Sequence, residues 1–309
     1  MRHWIPVVLL AAGLAACMPE PYQATPPPKE GTIQLIVRVD DIGLLHTTNE
    51  VARRLLDSSI VTDFSLVVNS GWYGEAVSIF RGRPGRSVGV QLTLTAPWRF
   101  YKWSPLTLAG RNSPLLDGFG FFRPQLNLNA NHAVLNSTNG ARDSLWVIRE
   151  FRAQLRRAIS AGLEVAYLHY PQHLDLHPPY LRNILEQLAY EFQIGITGYF
   201  EATPVMFPTT AQGAEPEKIE QELVGLINRL TPGRWELALP AADTTPEYYA
   251  AGAADSTEVR LRAHRIRALQ SNIILALCME RGIELVSYRQ LLEKAGLWRR
   301  PYTSKSDSY

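Results

Sequence analysis

The feature that most constrains the fold is a regular alternation of strand-like and helix-like segments between residues 33 and 295. Strands separated by helices predict a parallel sheet, so we expect an α/β fold. A seven-stranded parallel (β/α) barrel is the simplest arrangement, and an open doubly wound sheet is the alternative. Short β-branched and apolar runs predict the strands at 32–39, 65–69, 87–94, 164–169, 194–200, 235–239 and 283–287.

The segments between these strands carry apolar residues three and four positions apart, which is the spacing of amphipathic helices. Predicted helices run from Thr47 or Thr48 to 56, at 72–80, 144–161, from Pro179 to 188, at 216–230, from Asp255 or Ser256 to 277, and at 288–295. The stretch 95–143 lacks such periodicity and is rich in proline, glycine, asparagine and aromatic residues. A long irregular stretch inside a compact domain predicts either substrate contact or a flap over the core.

Composition excludes several classes of protein. Hydrophobic residues make up 46% and charged residues 19% of the 309 residues, which is typical of a globular chain. With 31 basic and 29 acidic residues the net charge is only +2, so nucleic acid is not an expected partner. No glycine-rich phosphate-binding sequence follows any predicted strand. Two cysteines, Cys17 and Cys278, exclude a disulfide scaffold and a cysteine-rich zinc site.

The N-terminus has the pattern of a secretion signal. Arg2 precedes an uncharged apolar run at 4–16, which is too short to span a bilayer comfortably. The run ends in Leu14-Ala15-Ala16-Cys17, which resembles a bacterial lipobox, in which the cysteine thiol carries lipid. An ordinary secretory signal with a chance cysteine is the alternative. We expect a signal peptide at 1–17.

Residues 18–31 contain five prolines, which favour an extended conformation, so this segment is predicted to be a tether. In the lipoprotein signals that the N-terminus resembles, an aspartate after the cysteine opposes outer-membrane sorting, and Met18 stands at that position. The resemblance therefore implies the outer membrane, facing the periplasm of a bacterial envelope, as the expected location. The tether precedes a single domain at 32–296 and a polar tail at 297–309. Cys278, in an apolar helical stretch, is predicted to be a buried small side chain.

Polar residues collect where the predicted strands end, which is where such folds place their sites. The first strand ends at Asp40 and Asp41, the third presents Gln91, and the fourth leads into His169 and His173. Adjacent aspartates can hold a cation and act as a base, or cap the following helix. Two histidines on one face of an extended segment suit a metal or a hydroxyl network, or are satisfied core residues.

Three stretches carry a resemblance to a known family. Residues 39–44 (Val-Asp-Asp-Ile-Gly-Leu) resemble its Ala-Asp-Asp-Phe-Gly-Leu opening, and residues 89–95 (Gly-Val-Gln-Leu-Thr-Leu-Thr) resemble its Gly-x-His-Leu-Thr-Leu-Thr block. Residues 168–174 (Leu-His-Tyr-Pro-Gln-His-Leu) resemble its Leu-Asp-Ser-His-Gln-His-Val motif. The chain is identified as a divergent relative of the YdjC-like carbohydrate deacetylases, the chitooligosaccharide deacetylase group, over roughly 33–292.

The resemblance implies a polysaccharide-deacetylase-like barrel that removes acetyl groups from N-acetylated sugars with a divalent metal. By this resemblance Asp40 matches the general base and Asp41 a metal ligand. The sequence departs from the family where Gln91 replaces a metal histidine, Pro171 replaces another histidine, and His169 replaces an aspartate. A further family histidine, which serves as the acid, is missing, and Pro240 falls near its place.

Two main hypotheses follow from these departures, and a scaffold in the periplasm for a protein partner is a third. In the first, Asp41, Gln91, His169 and His173 form a rebuilt site for zinc or magnesium beside Asp40, and deacetylation persists. In the second, no metal binds, and the chain is a lipid-anchored protein that binds N-acetylated oligosaccharides without chemistry. In either case we expect two aromatic residues of the irregular stretch to stack on sugar faces, namely Trp98 and Trp103.

Overall fold

The structure is a computed structural model that describes residues 25–83, 85–107, 113, 115–125, 140–170, 179–207 and 215–297. Its strands are β1 (Ile33–Ile42), β2 (Asp63–Leu66), β3 (Ser87–Gln91), β4 (Val165–His169), β5 (Gly195–Ile196), β6 (Thr203–Val205), β7 (Gly233–Pro240) and β8 (Ile283–Leu285). Its helices are α1 (His46–Leu55), α2 (Tyr73–Phe80), α3 (Gly140–Ser160), α4 (Pro179–Phe192), α5 (Pro216–Asn228), α6 (Pro246–Ala251), α7 (Ser256–Ala268), α8 (Asn272–Glu280) and α9 (Tyr288–Lys294).

The strands form one sheet in the order β5-β4-β3-β2-β1-β7-β6, with β8 beside the first half of β1. Every pairing is parallel, and the sheet curls into a half-barrel surrounded by helices. Within the described residues no pairing joins β5 to β6, so the wall is open there. The predicted α/β barrel-like fold is confirmed, and the carboxyl ends of the strands share one mouth.

All seven predicted strands are present, and the structure adds an eighth that the sequence pattern did not reveal. This extra strand, β6, has only three residues, is largely exposed and contains Pro204. Proline cannot donate to a ladder and is confined to strand edges, which is why the segment has no strand signature.

Alternate residues of β1 face two different environments. Leu35, Val37 and Val39 pack against the surrounding helices in the large outer core. Ile36 instead belongs to a smaller cluster inside the curled sheet, together with Tyr167 and Tyr288. Because side chains alternate along a strand, the even-numbered residues of β1 point into the half-barrel. The interior therefore becomes polar as β1 approaches the mouth.

The predicted helix from residue 255 to 277 is wrong in one respect, because it is two helices. α7 ends at Ala268 and α8 begins at Asn272, and Ser271 lies between them. The Ser271 hydroxyl accepts a hydrogen bond from the backbone N–H of Ile273, which is the usual way a serine starts a new helix. The apolar spacing runs on through the break, so periodicity alone did not show it.

Several predicted features lie outside the described residues. They are the signal peptide with Cys17, the tether up to residue 24, the tail from 298, and the segment 171–178 with His173. Among the helices of the described chain, none combines the length and the apolar character that crossing a membrane requires.

Candidate functional site at the strand ends

The structure brings four of the predicted site residues together at the mouth. Asp40 and Asp41 lie near the end of β1, and Gln91 and His169 are the last residues of β3 and β4. Gln91 and His169 are direct neighbours in the register of the two strands. Parallel strands end at one edge, so the convergence follows from the topology.

A buried arginine that sequence reasoning missed lies beneath these residues. Arg38 is two positions before Asp40, so both side chains point into the half-barrel, and the arginine is only 4% exposed. Its Nε lies 2.7 Å from Asp40 Oδ1 and its Nη2 lies 3.1 Å from Asp40 Oδ2. Its Nη1 donates to Glu236 and, at 3.0 Å, to the Tyr288 hydroxyl. The sequence did contain a signal for it, because Arg38 is a charged residue within the otherwise apolar run of β1.

The guanidinium of Arg38 determines the charge state of Asp40. Burial alone raises the pKa of the Asp40 carboxyl, but attraction to Arg38 and the hydrogen bond from it outweigh burial and hold this pKa below its usual value. Both carboxylate oxygens accept hydrogen bonds from the arginine in a bidentate pair. Asp40 is therefore a carboxylate at neutral pH and a weak acceptor of protons.

Asp41 and Gln91 form a closed pair. The backbone N–H of Asp41 donates to Gln91 Oε1 at 2.9 Å, and Gln91 Nε2 donates to Asp41 Oδ1 at 2.8 Å. Asp41 has a φ of 67°, an unusual left-handed conformation for a residue other than glycine. Burial raises the pKa of Asp41 to about 6, although the bond from Gln91 opposes this.

His169 is held between a hydroxyl and the arginine. Its Nδ1 lies 3.1 Å from Thr197 Oγ1, and its Nε2 lies 3.5 Å from Arg38 Nη2 and 3.6 Å from Asp40 Oδ2. Burial, followed by repulsion from Arg38, lowers the pKa of His169 to about 3. The imidazole is therefore neutral in the folded protein at neutral pH.

The described residues of this site do not fit a divalent metal ion. The side chain of Gln91 makes both of its hydrogen bonds to Asp41. The guanidinium of Arg38 lies 3.5 Å from His169 Nε2, where a metal ion would have to bind. A second positive charge placed there would be repelled by Arg38 in a poorly solvated environment. In the part of the chain that the structure describes, three side chains whose potential metal-binding atoms lie within 4.8 Å of one another are found elsewhere, at His46, Glu50 and Glu75.

Comparison with known proteins now identifies the family. The family model for YdjC-like protein matches residues 34–284, most of the described chain. This chain belongs to the YdjC-like family. It is thus a deacetylase-like protein, as the sequence resemblance implied.

The relatives of this YdjC-like protein are distant but extend along most of its length. It is 26% identical over 276 residues to carbohydrate deacetylase 1 of Listeria innocua, covering 84% of this chain and 100% of that one. It is 29% identical over 165 residues to a carbohydrate deacetylase of Brevibacillus brevis, covering 53% and 58% of the two chains.

A solved structure supports the fold. A protein of Enterococcus faecalis V583, named for a proposed role in cellobiose-phosphate cleavage, superposes with a TM-score of 0.63 at 18% identity. The match covers 84% of this chain and 99% of that one. At this identity the likeness concerns the fold alone.

The expected stacking role of Trp98 and Trp103 needs correction. Each is only 5% exposed, and their rings pack against each other with centroids 6.3 Å apart. Trp98 also packs against Tyr248 at 5.5 Å. These side chains belong to the core, so this part of the irregular stretch is a flap over the core, which was the alternative prediction.

The YdjC-like protein exposes other aromatic rings beside its mouth. Trp72, in the loop between β2 and α2, is 42% exposed, and Phe100 is 66% exposed. Tyr101 connects the two loops, because its hydroxyl accepts a hydrogen bond from the backbone N–H of Gly71 at 2.8 Å. The indole of Trp72 also lies 5.3 Å from the ring of His46. Sequence reasoning placed Trp72 at the start of a predicted helix and did not single it out as a site residue.

A second buried carboxyl group lies deeper in the half-barrel. Asp63, on β2, is fully buried, and burial raises its pKa to about 7. It accepts hydrogen bonds from the Thr62 hydroxyl at 2.7 Å and from the backbone N–H of Tyr288 at 3.2 Å. Above pH 7 the folded protein therefore carries a further buried negative charge on Asp63, in addition to those of Asp40 and Asp41.

We predict that Asp63→Asn changes how stability depends on pH. Between pH 3.8 and about 7 the folded state keeps a proton on Asp63 that the unfolded state loses, so this group destabilises the fold as pH rises. The free energy of unfolding of the variant, relative to wild type, should therefore increase from pH 4 to pH 7 and then level off. Urea unfolding at several pH values measures this, and a constant difference would contradict it.

Proposed function

We propose that this YdjC-like protein binds N-acetylated oligosaccharides at the mouth of the half-barrel without metal-dependent hydrolysis. The observation that carries the proposal is the bidentate pair between Arg38 and Asp40, the residue that matches the family's general base. We further propose that the domain is anchored through lipid on Cys17 to the outer membrane and faces the periplasm. The lipobox pattern and the proline-rich tether support the anchor.

Metal-dependent deacetylation needs groups that the described residues of this site hold in bonds to one another. A metal must polarise the acetyl carbonyl and activate water, and a base whose pKa is near the working pH must take the proton. Among the described residues, the side chains that could bind a metal at the mouth are hydrogen-bonded within the protein: Gln91 to Asp41, and His169 to Thr197. The pKa of the base candidate, Asp40, is lowered. Pro240 stands near the place of the family's acid histidine and has no proton to give.

Sugar binding requires neither a metal nor a base, and the mouth offers the polar groups and aromatic rings that it does require. Sugar sites combine a few placed polar groups with apolar or aromatic faces. The carboxylates of Asp40 and Asp41 keep lone pairs that can accept bonds from sugar hydroxyls. Trp72 and Phe100 offer exposed rings on the chain segments that follow β2 and β3, at the same end of the sheet. The sugar class is proposed from the carbohydrate deacetylases to which the chain is similar.

The other candidate is a deacetylase with a rebuilt site for zinc or magnesium. In it Asp41, Gln91 and His169 would have to exchange their present partners for the ion, with His173 as a further ligand. The names of the relatives favour this candidate, since each is a carbohydrate deacetylase.

Calorimetry and an acetate assay on the purified protein separate the two candidates. We expect a trimer of N-acetylglucosamine to bind equally well with a chelator and with added zinc or magnesium, and no acetate to appear. Acetate release that the chelator stops and zinc restores would overturn the proposal in favour of the rebuilt site. Absence of oligosaccharide binding under all conditions would overturn it as well.

We predict that Trp72→Ala weakens binding of the same trimer about tenfold, which is the upper range expected for one aromatic contact. The matched control is Tyr190→Ala, because Tyr190 is 56% exposed but lies near the end of α4, away from the mouth. The control should bind like wild type. Equal affinity of the two variants would remove Trp72 from the binding surface.

A further inference from the structure

Helix α8 presents apolar side chains to solvent. Ile273, Leu275 and Met279 are 60%, 39% and 74% exposed, while Ile274 and Cys278 of the same helix are buried. The helix has only nine residues, so a large share of its surface is apolar. Leu275 and Met279 lie one turn apart, and Ile273 lies on the other edge of the exposed side, so both edges of that side offer an apolar contact.

This helix ends at the amino end of the half-barrel, opposite the mouth. It leads through Gly282 into Ile283, which pairs with Ile33 at the start of β1. Arg281, directly after the helix, donates to the carbonyl oxygens of Ile227 and, at 2.9 Å, of Leu230. Those carbonyls come at the end of α5, immediately before β7 begins.

The tether reaches the domain at the same end. Arg234, at the start of β7, donates to the Thr25 hydroxyl at 3.1 Å and to the carbonyl oxygen of Pro26 at 2.9 Å. Eight residues of chain lead from Cys17 to Thr25. An extended chain spans at most about 3.6 Å per residue, so Cys17 lies within about 29 Å of this point.

That reach is short compared with the domain. A compact domain of about 270 residues has a radius of gyration of roughly 18 Å, so its width exceeds the reach of the tether. A lipid on Cys17 would therefore keep the amino end of the half-barrel close to the bilayer. The mouth, at the other end of the strands, would then point away from the lipid.

We infer that the exposed side of α8, which carries Leu275 and Met279 on one edge and Ile273 on the other, lies against the bilayer that holds Cys17. The inference rests on the proposed lipid anchor. Asn272 and Glu280 are also exposed on this helix, so it lies at the level of the lipid headgroups and does not insert deeply. The anchored domain thereby presents its mouth to glycans in the periplasm.

A fluorescence experiment on the full-length lipidated protein tests this orientation. Ile273→Cys and the control Met206→Cys are labelled with a fluorophore that shifts to the blue in apolar surroundings. Met206 is 82% exposed and follows β6, on the side of the mouth. Cys278 is buried and does not compete for the label. The vesicles contain phosphatidylethanolamine, phosphatidylglycerol and a nitroxide-labelled lipid that quenches nearby fluorophores.

We expect the label at position 273 to shift to the blue and to be quenched, and the label at 206 to do neither. A shift without quenching would mean that a second copy of the chain covers α8, which overturns the inference. Vesicle-bound protein with both labels unquenched overturns the orientation alone. Wild-type protein that floats no better with vesicles than Cys17→Ser overturns the anchor, and this inference with it.

Discussion

Replacing Arg38 with methionine is expected to destabilise the folded protein by about 3–5 kcal/mol, because two poorly solvated carboxylates lose their positively charged partner. In the wild-type protein the guanidinium binds Asp40 and Glu236, whose side chains are only 15% and 11% exposed. It also bonds the hydroxyl of Tyr288, which is fully buried. Methionine fills a similar volume but donates no hydrogen bond.

The measurement is urea unfolding at pH 7, with Arg54→Met as the matched control. Arg54 also binds a carboxylate, that of Asp243 at 2.6 Å, but the arginine side chain is 45% exposed. Asp243 is only 13% exposed but keeps a second partner in Arg267 at 3.2 Å. An ion pair of a half-exposed arginine contributes about 0–1 kcal/mol, so the control should unfold nearly like wild type. An equal loss of stability in the two variants would mean that burial of Arg38 and its carboxylate partners adds nothing to the energy of their interaction.

Gly89→Ala is expected to destabilise the protein by about 3 kcal/mol, at the upper end of the usual cost of overpacking. Gly89 lies on β3 directly beside Tyr167 of β4, and the ring of Tyr167 lies across it. A β-carbon at position 89 would come within 2.2–2.5 Å of three ring atoms. The ring has no room to retreat, because it is fully buried and packs against Tyr288 with centroids 4.5 Å apart.

Gly74→Ala provides the control for this prediction. Gly74 lies in α2, and a β-carbon there would meet nothing within 4 Å. Alanine in a helix is favoured over glycine by about 0.5–1 kcal/mol, so this variant should be slightly more stable than wild type. In the double variant Gly89→Ala/Tyr167→Leu, the smaller side chain should recover part of the loss. Destabilisation by both glycine variants alike would contradict the steric explanation.

Sequence reasoning located the residues of the site better than it described their interactions. Asp40, Asp41, Gln91 and His169 were expected to converge, because parallel strands end at one edge of a sheet. Their bonds could not be predicted from residue types. Whether Gln91 binds a metal or closes on Asp41 depends on distances between side chains of different strands, and these are defined only once the sheet is assembled.

The aromatic residues show the same limit. Trp98 and Trp103 stand in a polar, irregular stretch, so exposure was a reasonable expectation, yet both pack into the core. Trp72 stands at the start of a predicted helix, yet it is exposed beside the mouth. Composition around a tryptophan reports the average surroundings of a segment. Burial of one ring depends on which other segments fold over it.

The sequence by itself determined the class of fold and the end of the sheet where the site lies. Alternating strand and helix patterns are local, and the placement of residues at strand ends follows from the direction of the chain. Only the tertiary structure decided that Arg38 neutralises Asp40 and that the apolar face of α8 lies at the end where the tether arrives. Such pairings join residues far apart in the chain, so no local pattern encodes them, and curling of the sheet brings them into contact.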